Sequence, residues 1–339
     1  MQLEVYQDAT GFDALAKEWN DLLHRSDSDT IFLTHEWQRT WWHFFSKNRD
    51  LLLLAVRQGK ELIGIAPFYR QQTKDGRIII QLVGGADICD YLAVITLPDY
   101  HSSVYQTIFE FLTTKMCDWN EIDLHCIPEI SFYQPLCEAA TQHKLSVQRQ
   151  VEDVCPFIPL PSQWDDYLAM LNKKQRHELR RKMRRAEREV QTDWYMTSDP
   201  ETLAQDIEIF FDLHRKSSPG KQDFMSDSVM QEFFHEMARF TLEKGWLELS
   251  FLLLNNKKAA TMLCFKYNNR TLVYNSGYDP QQFRHLSPGI VLLGYHIQDS
   301  IAKGRTVFDF LRGDEIYKYR FGGQDQEIFQ ITIKHDHKN

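Results

Sequence analysis

Two clusters in this chain have the residue types to hold an anion. The first is Ser287-Pro288-Gly289, where small uncharged residues open a helix shortly after a β-rich run. Ser287 is an N-cap candidate, Pro288 suits the first helical position, and Gly289 leaves the backbone open to close approach. Free N–H groups and the helix dipole at such a start attract phosphate or carboxylate. An ordinary βαβ crossover has the same spacing, so both readings stand. The second cluster is the run 172–190, which carries nine Lys/Arg and three Glu. Arg176, Arg180 and Arg184 share one helical face, with Lys173 at its start, and guanidinium groups suit bidentate capture of phosphate or carboxylate. A solvated helix face is the alternative. Nucleic acid is a third, against which stand the lack of interleaved aromatics and the acidic remainder of the chain. A phosphate-bearing ligand is preferred.

These clusters need elements to position them. Residues 271–278 read as a strand ending in turn residues. Ile290, Leu293, Gly294, Ile297 and Ile301 then mark one face of a helix, with Lys303 in its last turn and Gly304 as its stop. A strand over 306–311 follows at once. The basic run has only a thin apolar stripe, Leu179, Met183, Ala186 and Val190. Nearer the N-terminus, strands are expected at 3–7, 51–57, 61–69, 78–83, 91–97, 121–126 and 145–151. Helices are expected at 12–23, 34–45, 102–117 and 131–143, and a short one at 164–170. Pro156, Pro159 and Pro161 mark a boundary between two halves.

The second half replays the order of the first. Residues 51–69 overlay 249–267 without gaps, apolar strand, polar turn, apolar strand, at an offset of 198. At an offset of 186, the helix from His101 and the strand at 121–124 overlay the helix from Ser287 and the strand at 307–310. Identities are few, so the repeat is one of pattern, and duplication is preferred over chance similarity. The expected fold is α/β, with mixed sheets covered by helices on both faces.

Composition narrows the classes. The chain has 339 residues and a net charge of −8; the basic run is at +6, leaving −14 on the rest. There is no apolar run of about 18 residues and no basic segment followed by an apolar core at the N-terminus, so neither a transmembrane helix nor a secretory signal is expected. Six scattered cysteines, with no C-x-x-C, point to reduced thiols in the cytoplasm and against a disulfide framework or zinc ribbon. No G-x-S-x-G, Walker A, HExxH or zinc spacing occurs, and no metal is expected.

Three features together carry a resemblance: the doubled half-unit, the K-K-x-R-x-x-L-R-R helix from Lys173, and S-P-G followed by G-x-x-x-F-D-F-L-R-G-D-E-x-Y-K. They resemble the GNAT-superfamily acetyltransferases of the CelD/BcsL-like family, relatives of the Fem peptidyltransferases, over roughly residues 32–321. The resemblance implies tandem GNAT-like domains, each a mixed, mostly antiparallel sheet flanked by helices. These are expected at 1–155 and 156–339, the second opening with the basic helix 172–190. It implies acetyl-CoA as cosubstrate, held between two parted strands with its pyrophosphate at the next helix N-terminus. That assigns Ser276 and Gly277 on the strand, and Leu286, Ser287, Pro288 and Gly289 in the loop. The usual GNAT loop is Q/R-x-x-G-x-G/A; here it is Arg284-His-Leu-Ser-Pro-Gly289, and proline removes one donor. The first-half helix opens His101-Ser-Ser with no glycine, so the second half is the better site.

The implied chemistry is direct transfer, in which an amine or hydroxyl attacks the thioester and a strand N–H near 276–278 polarises the carbonyl. Asp309 and Asp314 are candidates for the base; Tyr278 and Tyr317 are candidates to protonate the thiolate. Asp309, mid-strand, is equally a structural carboxylate. Lys318 either tunes Asp314 or binds substrate, and Arg312 either binds an anionic substrate or pairs with Asp314. Asp87, Asp90 and Tyr91 lie on a glycine-rich loop that faces the cleft in the family, and are candidates for acceptor binding. Trp37 sits with Trp41 and Trp42 at helical spacing, either in the core or as a sugar-stacking platform. His335-Asp336-His337 reads as a polar tail.

The expected function is thus an acyl-CoA-dependent N- or O-acyltransferase, with acetyl as the group. Its acceptor is expected to be a cell-envelope polysaccharide or a nucleotide- or lipid-linked precursor. Peripheral association with an envelope-synthesis complex is compatible with this. Fem-like aminoacyl transfer, with tRNA disfavoured, and a non-catalytic accessory role in polysaccharide synthesis are the alternatives.

Overall fold

The computed structural model describes residues 1–129, 132–218 and 227–335. The chain begins with β1 (Gln2–Tyr6), α1 (Thr10–Arg25), α2 (His35–Phe45), β2 (Asp50–Gln58), β3 (Glu61–Gln72), β4 (Ile78–Leu82) and β5 (Ile95–Thr96). It continues with α3 (His101–Thr114), β6 (Glu121–Pro128), α4 (Tyr133–Gln142) and β7 (Leu145–Pro159). Then come α5 (Trp164–Met170), α6 (Lys173–Glu189), β8 (Thr192–Met196), α7 (Pro200–Ser217), α8 (Ser228–Glu243), β9 (Leu247–Leu254), β10 (Lys257–Tyr267) and β11 (Arg270–Tyr278). The last elements are α9 (Pro288–Ala302), β12 (Val307–Asp309), α10 (Ile316–Arg320) and β13 (Gln324–His335).

Contacts divide the chain into a unit of Met1–Val154 with the chain from Gln326 onward, and a unit of Cys155–Asp325. The C-terminal strand therefore joins the first unit, not the second as the expected range 156–339 has it. The reason is its ladder: β13 pairs antiparallel with β6, Ile331 opposite Leu124.

In the first unit the strand order is β1-β2-β3-β4-β6-β13-β7, with β5 added to β3. β2 and β3 form an antiparallel hairpin, and β4 runs parallel to β6. In the second unit the order from the end of β7 is β7-β12-β11-β10-β9-β8. β9 and β10 form the matching hairpin, β11 is antiparallel to β10, and β12 is parallel to β11. Each parallel pair is joined through a crossover helix, α3 or α9, because parallel strands cannot be linked by a tight turn. The hairpin repeat is real, but its sequence overlay is out of step. The turns fall at Gly59-Lys60 and Asn255-Asn256, an offset of 196 rather than 198.

Two local corrections follow from tertiary pairing. The expected strand at 91–97 is reduced to Ile95–Thr96, and the one at 306–311 to Val307–Asp309. β12 ends where the Asp309 carboxylate accepts the Leu311 amide at 2.9 Å, which turns Leu311 to φ +56°. The helix expected at 131–143 begins at a residue outside the described ones, as do Asp336 and His337 of the polar tail. His335 is described and stacks on Trp119. None of the six cysteines is in a disulfide. Among the described residues, no helix is long and apolar enough to cross a membrane.

Candidate functional site

β11 is paired with β10 along its length, but with β12 only from Arg270 to Leu272. Beyond that point it has no strand partner on the β12 side among the described residues. Its register against β10 also slips between Leu263 and Cys264, leaving Tyr274 without an opposite residue, a β-bulge that bends the strand. A cavity of about 330 Å³ opens beside the unpaired end. Thr261, Met262, Ser276, Gly277 and Tyr278 form one wall; Ser287, Pro288, Gly289, Ile290 and Leu293 form the other, with Arg284 and Tyr317 completing it.

The second wall is the start of α9. Ser287 is its N-cap residue, but its backbone is left-handed (φ +54°, ψ +58°) and its side chain makes no capping hydrogen bond, contrary to the expected role. An N-cap normally sits in the β region, where its oxygen reaches the N2 or N3 amide. Phe283 is left-handed too, so two non-glycine residues in a sparsely populated conformation bracket the turn at Arg284–Leu286. Leu286 is buried and its amide donates to the Phe283 carbonyl at 2.8 Å. It therefore belongs to the core, and offers a ligand neither side chain nor N–H. Pro288 has no donor, and the amides of Ile290 and Val291 turn back onto the Ser287 carbonyl at 3.0 and 3.2 Å. Of the first-turn donors this leaves the Gly289 N–H. A Cβ at Gly289 would meet only the Tyr278 ring, at 3.8 Å, so the glycine keeps space for a ligand rather than for the fold. Gly277 differs: a Cβ there would lie 2.4 Å from the His214 amide of α7, so its absence lets α7 approach β11.

Tyr317 closes the cavity from the other side. Its ring packs edge-on against Phe310, and burial pushes its phenol well above the ordinary value, with Glu315 adding to the shift. The group is held protonated. The segment that delivers it is clamped by Lys318, which is 2% exposed. Its ammonium donates to the carbonyls of Leu311, Arg312 and Gly313 at 3.1, 2.8 and 2.9 Å, and pairs with Glu315 at 2.9 Å. Every proton is committed, so Lys318 has none to offer a substrate. Asp309 is fully buried, bonded to the Leu311 amide and 3.8 Å from Arg270, and lines no part of the cavity. It is a structural carboxylate. Asp314 is exposed and also stands outside the cavity, and the neighbouring Arg312 carbonyl is held by the Lys318 ammonium. The F-D-F-L-R-G-D-E-x-Y-K motif thus works as a scaffold for Tyr317.

A second cavity, of about 440 Å³, lies beside the first and shares Ile290 and Tyr317 with it. Its other residues are Asn172, Lys174, Gln175, Glu178, Leu179 and Lys182 of the α6 segment, with Arg320 and Phe321. α6 starts cleanly because Asn172 accepts the Gln175 amide at 2.9 Å. It packs on α9 through Leu179 and Met183, which come so close to Gly294 that a Cβ there would stand 3.0 Å from the Met183 sulfur. The expected ligands Lys173, Arg176 and Arg180 point elsewhere. Arg176 donates to the Leu168 carbonyl at 3.3 Å and Arg180 pairs with Asp165 at 3.2 Å. Neither they nor Lys173 lines either cavity; with Arg184 they form an open cationic flank. Lys174, Lys182, Arg284 and Arg320 are the cavity cations the sequence reading left out of the site. Lys182 was detectable, since it stands three residues after Leu179 and four before Ala186, at the margin of the buried stripe.

In the first unit, Trp37 is fully buried, donates to the Cys89 sulfur at 3.2 Å and meets Phe32 edge-on. It is core, not a sugar platform. Tyr91 is buried beside Phe32, whereas Asp87 is exposed and Asp90 half-buried.

Residues 173–319 match the family model described as an acetyltransferase (GNAT) domain. No curated protein matches the chain by sequence. Among solved structures, FemX is similar with a TM-score of 0.66 at 11% identity, covering 98% of this chain and 97% of that one. L-PGS from Bacillus licheniformis is similar at 0.54 and 10%, covering 95% and 92%. A tandem GNAT protein from the clavulanic acid biosynthesis pathway is similar at 0.50 and 10%, covering 97% and 98%. At such identities the likeness is one of fold.

Proposed function

We propose that the chain is a GNAT-type acyltransferase, as the match of residues 173–319 to the acetyltransferase (GNAT) domain model supports, and that the cavity beside β11 seats the thioester arm of acetyl-CoA. The observation that carries this reading is the parting of β11 from β12 after Leu272, at a cavity whose far wall is an open helix start at Gly289. An amine or hydroxyl of the acceptor attacks the thioester carbonyl, and N–H groups of the 276–278 segment receive the developing oxyanion. The C–S bond breaks as the new C–N or C–O bond forms. Tyr317 gives its proton to the departing thiolate and recovers one from water. Among the described residues no carboxylate or imidazole lines this cavity, so the acceptor's own proton goes to solvent.

The acceptor in this reading is an amine or hydroxyl on a cell-envelope carbohydrate or its nucleotide- or lipid-linked precursor, in the cytoplasm, which the CelD/BcsL-like resemblance supports. Calorimetry with acetyl-CoA and longer acyl-CoAs tests the donor. One acyl-CoA bound per chain is expected, with acetyl accepted; folded protein that binds none of them overturns it. A second reading, aminoacyl transfer from a charged tRNA, is favoured by the lysines of α6 that make no ion pair among the described residues, and salt-dependent tRNA binding would support it.

A further inference from the structure

The start of α9 is a poor phosphate cradle. Pro288 contributes no N–H, Ile290 and Val291 are bonded to Ser287, and one amide, at Gly289, remains. A donor with several phosphate charges needs other partners, and the adjoining cavity has them. The three carboxylates of α6 are all engaged: Glu178 with Arg181 at 2.8 Å, Glu187 with the Tyr295 hydroxyl at 2.9 Å, and Glu189 with Arg185 at 3.0 Å. Lys174, Lys182 and Arg320 make no ion pair among the described residues, yet all three line the same 440 Å³ space. Lys182 is half-buried there, a position in which a cation without a counter-ion is unfavourable. The two lysines stand eight residues apart, about 12 Å along the helix, so they bracket the cavity rather than duplicate one contact. Leu179, Ile290 and Phe321 give it an apolar floor, and Tyr317 with Ile290 joins it to the thioester cavity.

We infer that Lys174, Lys182 and Arg320 grip the phosphates of a nucleotide-bearing acyl donor, replacing the amide cradle that Pro288 and the Ser287 turn have taken away. The nucleoside lies on the apolar floor, while the acyl arm passes Tyr317 toward β11. This rests on the acyl-CoA reading of the neighbouring cavity.

The test is a calorimetric comparison of CoA with pantetheine, which lacks the nucleotide and all the phosphates. Wild-type protein is expected to bind CoA at least about tenfold more tightly than pantetheine, because charge-assisted contacts to phosphate are the strong ones. A Lys182→Gln/Arg320→Gln variant, with an unchanged melting temperature, should bind pantetheine as before and lose that gap. Wild-type protein that binds the two ligands equally, or a gap that survives in the variant, overturns the inference while leaving the acyl-CoA reading in place. If neither ligand binds folded wild-type protein, the acyl-CoA reading fails and the inference with it.

Discussion

The two units follow the same course of hairpin, third strand, crossover helix and parallel strand, and they treat the space beside the third strand in opposite ways. In the first unit the link from β4 to α3, residues 83–100, folds inward. Leu92, Ala93, Val94, Ile95 and Leu97 are buried, β5 pairs with β3 at Gly64 and Ile65, and the Leu92 amide reaches the Cys126 carbonyl at 2.9 Å. The helix start is occupied as well: His101 is buried, bonded to Thr96 and 3.3 Å from Asp27. In the second unit the link, residues 279–287, is half as long and is buried only at Asp279 and Leu286, and the helix opens on proline and glycine. The framework alone does not make a site. A long apolar link becomes core, whereas a short polar one leaves a cavity between a parted strand and a helix start.

The contrast is best broken at the clamp. Replacing Lys318 by Met leaves one buried and two half-buried carbonyls without that donor, and should destabilise the second unit by about 2–4 kcal/mol while sparing the first. Hydrogen exchange followed separately in β10 and β3 would show it; equal loss in both contradicts the assignment. Tyr317→Phe is expected to lower kcat by about a hundredfold with little change in KM, as for loss of a proton donor. An unchanged kcat removes Tyr317 from the chemistry. Gly289→Val should weaken acyl-CoA binding about tenfold at constant melting temperature, because its side chain enters ligand space. Ser102→Val, at the matching turn of the first unit, should leave binding unchanged.

The units should also answer pH in opposite senses. Bonds to Asp123 and then Glu152 raise His125 of the first unit from 6.5 to about 10. Its stabilising contribution is complete below pH 6.5 and disappears as pH rises through about 10. Burial, then Lys303 and Arg305, depresses His296 of the second unit from 6.5 to about 3. Stability it permits is complete above pH 6.5 and falls as pH drops toward about 3. Exchange rates in β6 should therefore rise in alkali and those in β9 in acid. His125→Gln should flatten the first response and leave the second.

Much of the frame was legible in the sequence because strand and helix periods, the Pro-Gly helix start and the Gly304 stop are local signals. Gly304 indeed follows α9 with φ +69°. The doubled order was visible for the same reason. What the sequence could not supply was pairing. The early end of β12 and the bulge at Tyr274 depend on how neighbouring strands pair, and the left-handed Ser287 follows the Arg284–Leu286 turn. Charged residues were the least readable. Asp309 and Lys318 look catalytic in a loop motif, and prove to be the two ends of a backbone clamp. Arg176 and Arg180 look like ligands until Leu168 and Asp165 take them, whereas Lys182 carries no such signal beyond its place beside Leu179. α7 and α8 went unassigned, although Phe210, Phe211, Phe233 and Phe234 form their buried faces.

The central claim is that the parted strands of the second unit hold the acyl donor and the first unit does not. A crystal structure with acetyl-CoA bound tests it directly. The account predicts the thioester between Ser276–Tyr278 and Tyr317, with phosphate density at Lys182 and Arg320. Density at the α3 start of the first unit, with the β11 cavity empty, would contradict it.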